Sequence, residues 1–131
     1  LCHRVLVDTR GVAMTLARVD FAANTVTWTG IGNVTAELIV KAPTGIQVRS
    51  SARLSGGIVG YRIPETIPAQ VVSIRPGDLL LMSTDGIAED YLDHIDFSAA
   101  AVAIAEGLLG KDAKETDDAM VLAARHRGAT T

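Results

Sequence analysis

Polar and apolar residues alternate most cleanly in T-V-T-W-T-G-I-G, residues 25–32, with Val26 and Trp28 on one side and Thr25, Thr27 and Thr29 on the other. A period of two marks a strand with one buried face. The stretch before it, G-V-A-M-T-L-A-R-V-D, alternates more loosely and predicts a strand from Val12 to Val19. F-A-A-N-T between them reads as a turn, with Asn24 suited to positive φ, so the two strands make a hairpin. T-A-E-L-I-V-K and G-I-Q-V-R-S predict two more strands about an A-P-T-G turn. The Gly-rich S-A-R-L-S-G-G-I-V-G-Y-R-I-P-E predicts a loop crossing a sheet edge. Q-V-V-S-I is a strand, R-P-G-D a tight turn with Pro76 and Gly77 placed for it, and L-L-L-M-S-T a buried strand.

Beyond Asp85 the period lengthens. S-A-A-A-V-A-I-A-E-G-L-L-G carries a helical apolar stripe, with Ser98 as N-cap and Gly110 as the C-terminal stop. K-D-A-K-E-T is a polar loop, D-A-M-V-L-A-A-R-H a final strand and R-G-A-T-T a frayed tail. Residues 1–7 read as the tail of a helix or a short strand. Antiparallel strands, then a helix, then one strand returning to the sheet make an α+β plan, read as one domain over 1–131. Repeats, low-complexity linkers and heptads are absent from the sequence.

Composition narrows the function classes. Hydrophobic residues at 48% and charged residues at 21% indicate a folded chain, and with aromatics at 4% its core is built from Val, Ile, Leu and Ala. The net charge of −3 and the scattered Lys and Arg exclude an electrostatic footprint for nucleic acid or for an anionic membrane surface. A single cysteine, Cys2, excludes an internal disulfide and any multi-cysteine zinc site, and points to a reducing, cytoplasmic compartment. No apolar run approaches the roughly 20 residues that span a bilayer, and L-C-H-R-V-L-V-D-T-R-G has no signal-peptide design. The sequence opens mid-pattern without an initiator methionine, as though further sequence preceded it.

Two acidic positions stand out. Asp85 leaves the L-L-L-M-S-T strand at S-T-D-G, and Asp117-Asp118 enter the final strand at T-D-D-A-M-V-L. If those strands are antiparallel neighbours, Asp85 and Asp117 converge at one rim, where carboxylates repel unless a cation such as Mg²⁺ or Mn²⁺ lies between them. Each aspartate taken singly reads as readily as a cap of its turn or loop. The other candidates are weaker. His3, His94 and His126 lack metal-ligand spacing and read as structural histidines. Glu89 and Asp90 belong to a solvated acidic face that is also placed to hold a metal-bound water. Asn33 in G-N-V-T matches a glycosylation acceptor formally, and reads better as a strand-end turn. S-G-G-I-V-G-Y lacks the Lys-Ser/Thr of a phosphate loop, Trp28 is a core anchor, and Cys2 has no base partner that would make it a nucleophile.

L-L-L-M-S-T-D-G-I, followed some thirty residues later by T-D-D-A-M-V-L-A-A-R, resembles the closing motifs of metal-dependent protein phosphatases of the type 2C superfamily. R-G-V-A-M-T-L-A-R-V-D, T-V-T-W-T-G-I-G-N-V and G-G-I-V-G-Y-R-I-P fall in the order seen in the bacterial SpoIIE-type serine phosphatases, most like the RsbX-type enzymes of the stressosome. The resemblance covers essentially the whole chain. It implies an αββα sandwich of two antiparallel sheets flanked by helices, with a two-metal Mn²⁺ or Mg²⁺ centre at the sandwich rim. By the same resemblance Asp85 and Asp117 are metal ligands and carry the catalysis, Gly86 lets the backbone turn beside the metals, and Asp118 supports the site.

The first metal motif of that family, an Asp-Gly in D-G-x-G-H-G form, has no match in these 131 residues. The chain therefore reads as the C-terminal two-thirds of such a phosphatase. The implied reaction is hydrolysis of phosphoserine or phosphothreonine on a STAS-domain stress-signalling protein. A catalytically incomplete module that docks a STAS or kinase partner, and a hydrolase of small phosphate esters, stand as alternatives. Oligomeric state is not legible in the sequence.

Overall fold

The computed structural model describes residues 1–85, 87–111 and 118–128. A short α1 (Cys2–Val5) leads into the hairpin of β1 (Met14–Asp20) and β2 (Thr25–Ile31), paired antiparallel from Met14 opposite Ile31 to Asp20 opposite Thr25. Asn24 closes that hairpin at φ 51°, as its residue type suggests. A second hairpin joins β3 (Thr35–Ala42) to β4 (Gly45–Ser51), with a register shift between Leu38 and Ile39. The chain then crosses to the first sheet, where β5 (Leu54–Ser55) and β6 (Gln70–Ser73) take successive places along the free edge of β2. β7 (Leu79–Ser83) and β8 (Val121–Arg125) return to the second sheet, whose order is β4-β3-β7-β8.

Two differences from the sequence reading have plain causes. Within the Gly-rich crossing segment, β5 pairs with β2 in parallel over Gly30–Leu54 and Ile31–Ser55, a two-residue ladder too short to leave a periodicity. α2 runs Ala101–Lys111, beginning beyond Ser98 and continuing through Gly110. Ser98 donates its hydroxyl to Asp96 Oδ1 at 2.6 Å and its N–H to the same atom at 3.1 Å, so its side chain is engaged by the preceding turn. That turn also holds the Asp96 carboxyl below its ordinary value, chiefly through the hydroxyl. Most of the polar loop after Lys111 lies outside the described residues.

The alternation read from the sequence becomes a two-sided core. Val26 and Trp28 of β2 pack with Ala36, Leu38 and Ile74 between the sheets, and Trp28 is the anchor expected of it. On the opposite face of the second sheet, Ile39, Leu79 and Leu81 meet Ile104 and Leu108 of α2. β7 is buried on both sides, which is why its sequence is a continuous apolar run rather than an alternation. The layers are sheet, sheet and helix, and β7 lies at the centre of the second sheet.

Candidate metal centre

β7 ends at Ser83, and its ladder with β8 sets Ser83 opposite Val121. The pairing continues one step further: Thr84 N–H donates to Met120 O at 3.1 Å, and Met120 N–H donates to Thr84 Oγ1 at 3.0 Å. Thr84 thus fastens the outgoing strand to the incoming one, immediately before Asp85. The two strands are antiparallel neighbours, the condition on which convergence of the acidic positions depended, and the backbone brings Asp85 and Asp118 to the same rim. Both are exposed. Gly86 and Asp117, the other two predicted site residues, lie outside the described residues.

Asp85 is held by the connection between β2 and β3. Asn33 Nδ2 donates to Asp85 Oδ2 at 2.7 Å, a contact between residues 52 apart in sequence. Gly32 makes this reach possible. It turns the chain out of β2 at φ 101°, and a Cβ there would stand 2.5 Å from that of Ala13. Its N–H donates to Ser55 O at 2.9 Å, tying the β2 end to β5. The reading of Asn33 as a strand-end turn fits its place in the bend after β2, and did not extend to this contact. The available signal was a polar side chain directly after a Gly at a strand end, at the same rim as S-T-D-G once β3 is paired with β7.

Beside Asp85 opens a cleft of about 300 Å³ lined by Thr35, Glu37, Ser83, Glu89 and Tyr91 among others. Thr35 Oγ1 and Ser83 Oγ are hydrogen bonded at 3.0 Å, and Tyr91 Oη donates to Glu37 Oε2. Burial pushes the Glu37 carboxyl above its ordinary 4.5. The stretch expected to be a solvated acidic helix face forms a short 3₁₀ turn at Tyr91–His94. Its Glu89 lines the cleft, while Asp90 lies on the surface.

Carboxylate and amide oxygens are the donors a hard divalent cation takes, so Asp85 and Asp118 fit Mg²⁺ or Mn²⁺ in kind. Among the described residues, no group of three or more His, Cys, Asp or Glu stands close enough to hold a metal by itself. The histidines do other work: His3 Nδ1 accepts from Gly60 N–H at 2.9 Å, and His126 Nδ1 from Gly128 N–H at 3.1 Å. Cys2 is exposed, and no described helix is long and apolar enough to cross a membrane.

Several solved structures share this architecture. One, from work on the bacterial stressosome as a modular system adapted to control secondary messenger signaling, is 29% identical, with a TM-score of 0.77 over 95% of this chain and 64% of that one. RsbX in complex with magnesium is 20% identical, with a TM-score of 0.70 over 93% of this chain and 59% of its own. The PP2C phosphatase domain of SpoIIE from Bacillus subtilis, with a fragment of its regulatory domain, is 18% identical, with a TM-score of 0.68 over 98% and 43%. The chain thus spans less than two-thirds of the length of each of these structures. No curated protein matches it. The sequence model described as Stage II sporulation protein E (SpoIIE) matches residues 1–129, and the chain belongs to that family.

Proposed function

We propose that this chain is the metal-binding, C-terminal part of a cytoplasmic, metal-dependent protein serine/threonine phosphatase. The observation that carries the reading is the Asn33–Asp85 hydrogen bond at the β7–β8 rim. It fixes a carboxylate at the end of a strand buried on both faces, in a member of the SpoIIE family. Rigid placement of ligands is what metal-assisted hydrolysis demands of a protein. Asp85, Asp117 and Asp118 would hold Mn²⁺ or Mg²⁺, with Gly86 giving the backbone room to turn beside them. When bound, the ions supply neutralisation of the phosphate oxygens and acidification of water. The chain's own residues orient and position: Asn33 sets the plane of Asp85, Thr84 clamps the two strands, and the Thr35–Ser83–Glu89 cleft offers hydroxyl and carboxylate contacts to the segment around the phosphorylated residue.

The substrate proposed is a phosphorylated STAS-domain protein. That choice rests on the resemblance to stressosome phosphatases and on similarity to the stressosome structure and RsbX. The test is phosphate release from a serine-phosphorylated STAS-domain protein with and without Mn²⁺, using this chain and its Asp85→Asn variant. Release that requires Mn²⁺ and Asp85 is the expected result. Absence of release, with retained binding of the phosphorylated protein, would instead assign the chain to docking.

A further inference from the structure

S-G-G-I-V-G-Y, which lacks the signature of a nucleotide-type phosphate loop, folds at the same end of the sandwich as Asp85. β5 runs parallel to β2, so the glycines that follow Ser55 leave the first sheet beside Gly32, whose N–H donates to Ser55 O at 2.9 Å. The next residue, Asn33, is the one that donates to Asp85. The segment is firmly held. Ile58 and Arg62 exchange both backbone hydrogen bonds, at 2.8 and 2.9 Å. Val59 does the same with Val12, at 2.9 Å each way, and Gly60 N–H donates to His3 Nδ1 at 2.9 Å. The result is a small fixed hairpin with Arg62 on its returning arm.

An open cleft of about 420 Å³ lies against this hairpin, lined by Gly56, Gly57, Arg62, Ile63, Pro64 and Glu65. Arg62 is exposed, and its guanidinium makes no hydrogen bond or ion pair among the described residues, Glu65 included. Gly56 and Gly57 are exposed too, and neither N–H meets an acceptor among the described residues. The two glycines differ in why they are glycine. Gly57 sits at φ 132°, and a Cβ there would stand 2.5 Å from Arg62 O, so the hairpin itself requires it. Gly56 lies outside the left-handed region, and a Cβ there would meet nothing within 4 Å. Neither its backbone nor its packing asks for glycine. A bare backbone at such a point leaves the N–H open to close approach by a ligand.

We propose that Arg62, with the N–H groups of Gly56 and Gly57, forms a binding site for a phosphate monoester dianion, the one carried by the phosphorylated side chain of the substrate. A guanidinium beside successive backbone N–H groups offers the donors that phosphate oxygens take. The metal rim offers carboxylates and no such donors, so the two sites divide the work: carboxylates for cations, the glycine hairpin for the anion. Because the hairpin is pinned by backbone hydrogen bonds, these donors need little ordering when the anion arrives. The source of the phosphate rests on the phosphatase reading; the donor set does not.

The test titrates the full chain, metal-free and at constant ionic strength, with three probes: N-acetyl phosphoserine methylamide, its unphosphorylated serine counterpart and inorganic phosphate. Backbone amide and arginine Nε NMR signals are followed. The phosphoserine probe is expected to move Gly56, Gly57 and Arg62 Nε, and the serine probe to leave them in place. Arg62→Gln should weaken binding at least about tenfold. Gly56→Ala should weaken it severalfold with the unfolding midpoint unchanged, since the new methyl group would meet only the ligand. No shift at these residues, unchanged affinity in either variant, or binding of inorganic phosphate without the phosphoserine probe would overturn the proposal. Phosphoserine binding lost while Mn²⁺-dependent release persists counts against this inference alone. Release absent while this binding persists counts against the metal-centre reading alone.

Discussion

The central strand β7 is bracketed by two aspartates, in D-L-L-L-M-S-T-D, and the fold treats them in opposite ways. Asp78, just before Leu79, is 7% exposed and consumed by structure, accepting from Arg75 N–H and pairing with Arg49. Asp85, just after Thr84, is exposed and accepts from Asn33, in the connection between β2 and β3. A buried carboxylate needs a cation and donors to offset its lost hydration. An exposed one keeps much of its hydration and needs no such offset. The lesson is that both aspartates flank one strand, while burial separates a structural aspartate from a candidate site residue.

The substitutions that break this contrast have different readouts. Asp85→Asn should reduce Mn²⁺-dependent phosphate release on the order of 10²–10³-fold while leaving the unfolding midpoint nearly unchanged. Asp78→Ala should do the reverse, costing about 2–4 kcal/mol in denaturant unfolding, because Arg49 and the Arg75 N–H lose their partner. Asn33→Ala should weaken Mn²⁺ binding by about tenfold or more, measured by titration calorimetry, with stability within about 0.5 kcal/mol. Gly32→Ala should cost about 1–2 kcal/mol, since its φ of 101° disfavours a side chain and the new Cβ would meet Ala13.

The smallest effect belongs to Glu37, and its sign is definite. Burial raises its folded-state pKa, so the folded chain holds the proton more tightly than the unfolded chain. The associated stability is present below the ordinary value of 4.5 and is lost as pH rises through the folded pKa. Glu37→Gln removes this titration. Urea midpoints measured from about pH 4 to 7 should therefore drift in favour of the variant as pH rises. A constant difference would show that burial does not act on this carboxyl.

Much of the fold around these two aspartates could be seen in the sequence, and the reasons are local. Strict alternation in T-V-T-W-T exposed β2, and Asn24 exposed its turn, because strand faces and positive-φ positions are set by near neighbours. The apolar run of β7 was legible as a buried strand, while its pairing with β8 entered the sequence reading only as a condition that the fold meets. Asn33 was read as a strand-end turn, which it is, but its contact with Asp85 was missed because the two lie 52 residues apart and no local pattern reports such a contact. β5 escaped because two residues form too short a ladder, and Ser98 because Asp96 competes for its side chain. Asp78 and Asp85 look alike in the sequence: what distinguishes them is burial, with Arg49 of β4 beside Asp78, which only the folded sheets bring about.

The most direct test of the central contrast is Mn²⁺-induced paramagnetic broadening of the backbone amide NMR signals of this chain. Broadening centred on Asn33, Thr84, Asp85 and Asp118, absent around Asp78 and removed by Asp85→Asn, is the expected result. Broadening that spares the Asp85 rim, or that survives Asp85→Asn unchanged, would contradict the assignment of Asp85 as the aspartate that holds the metal.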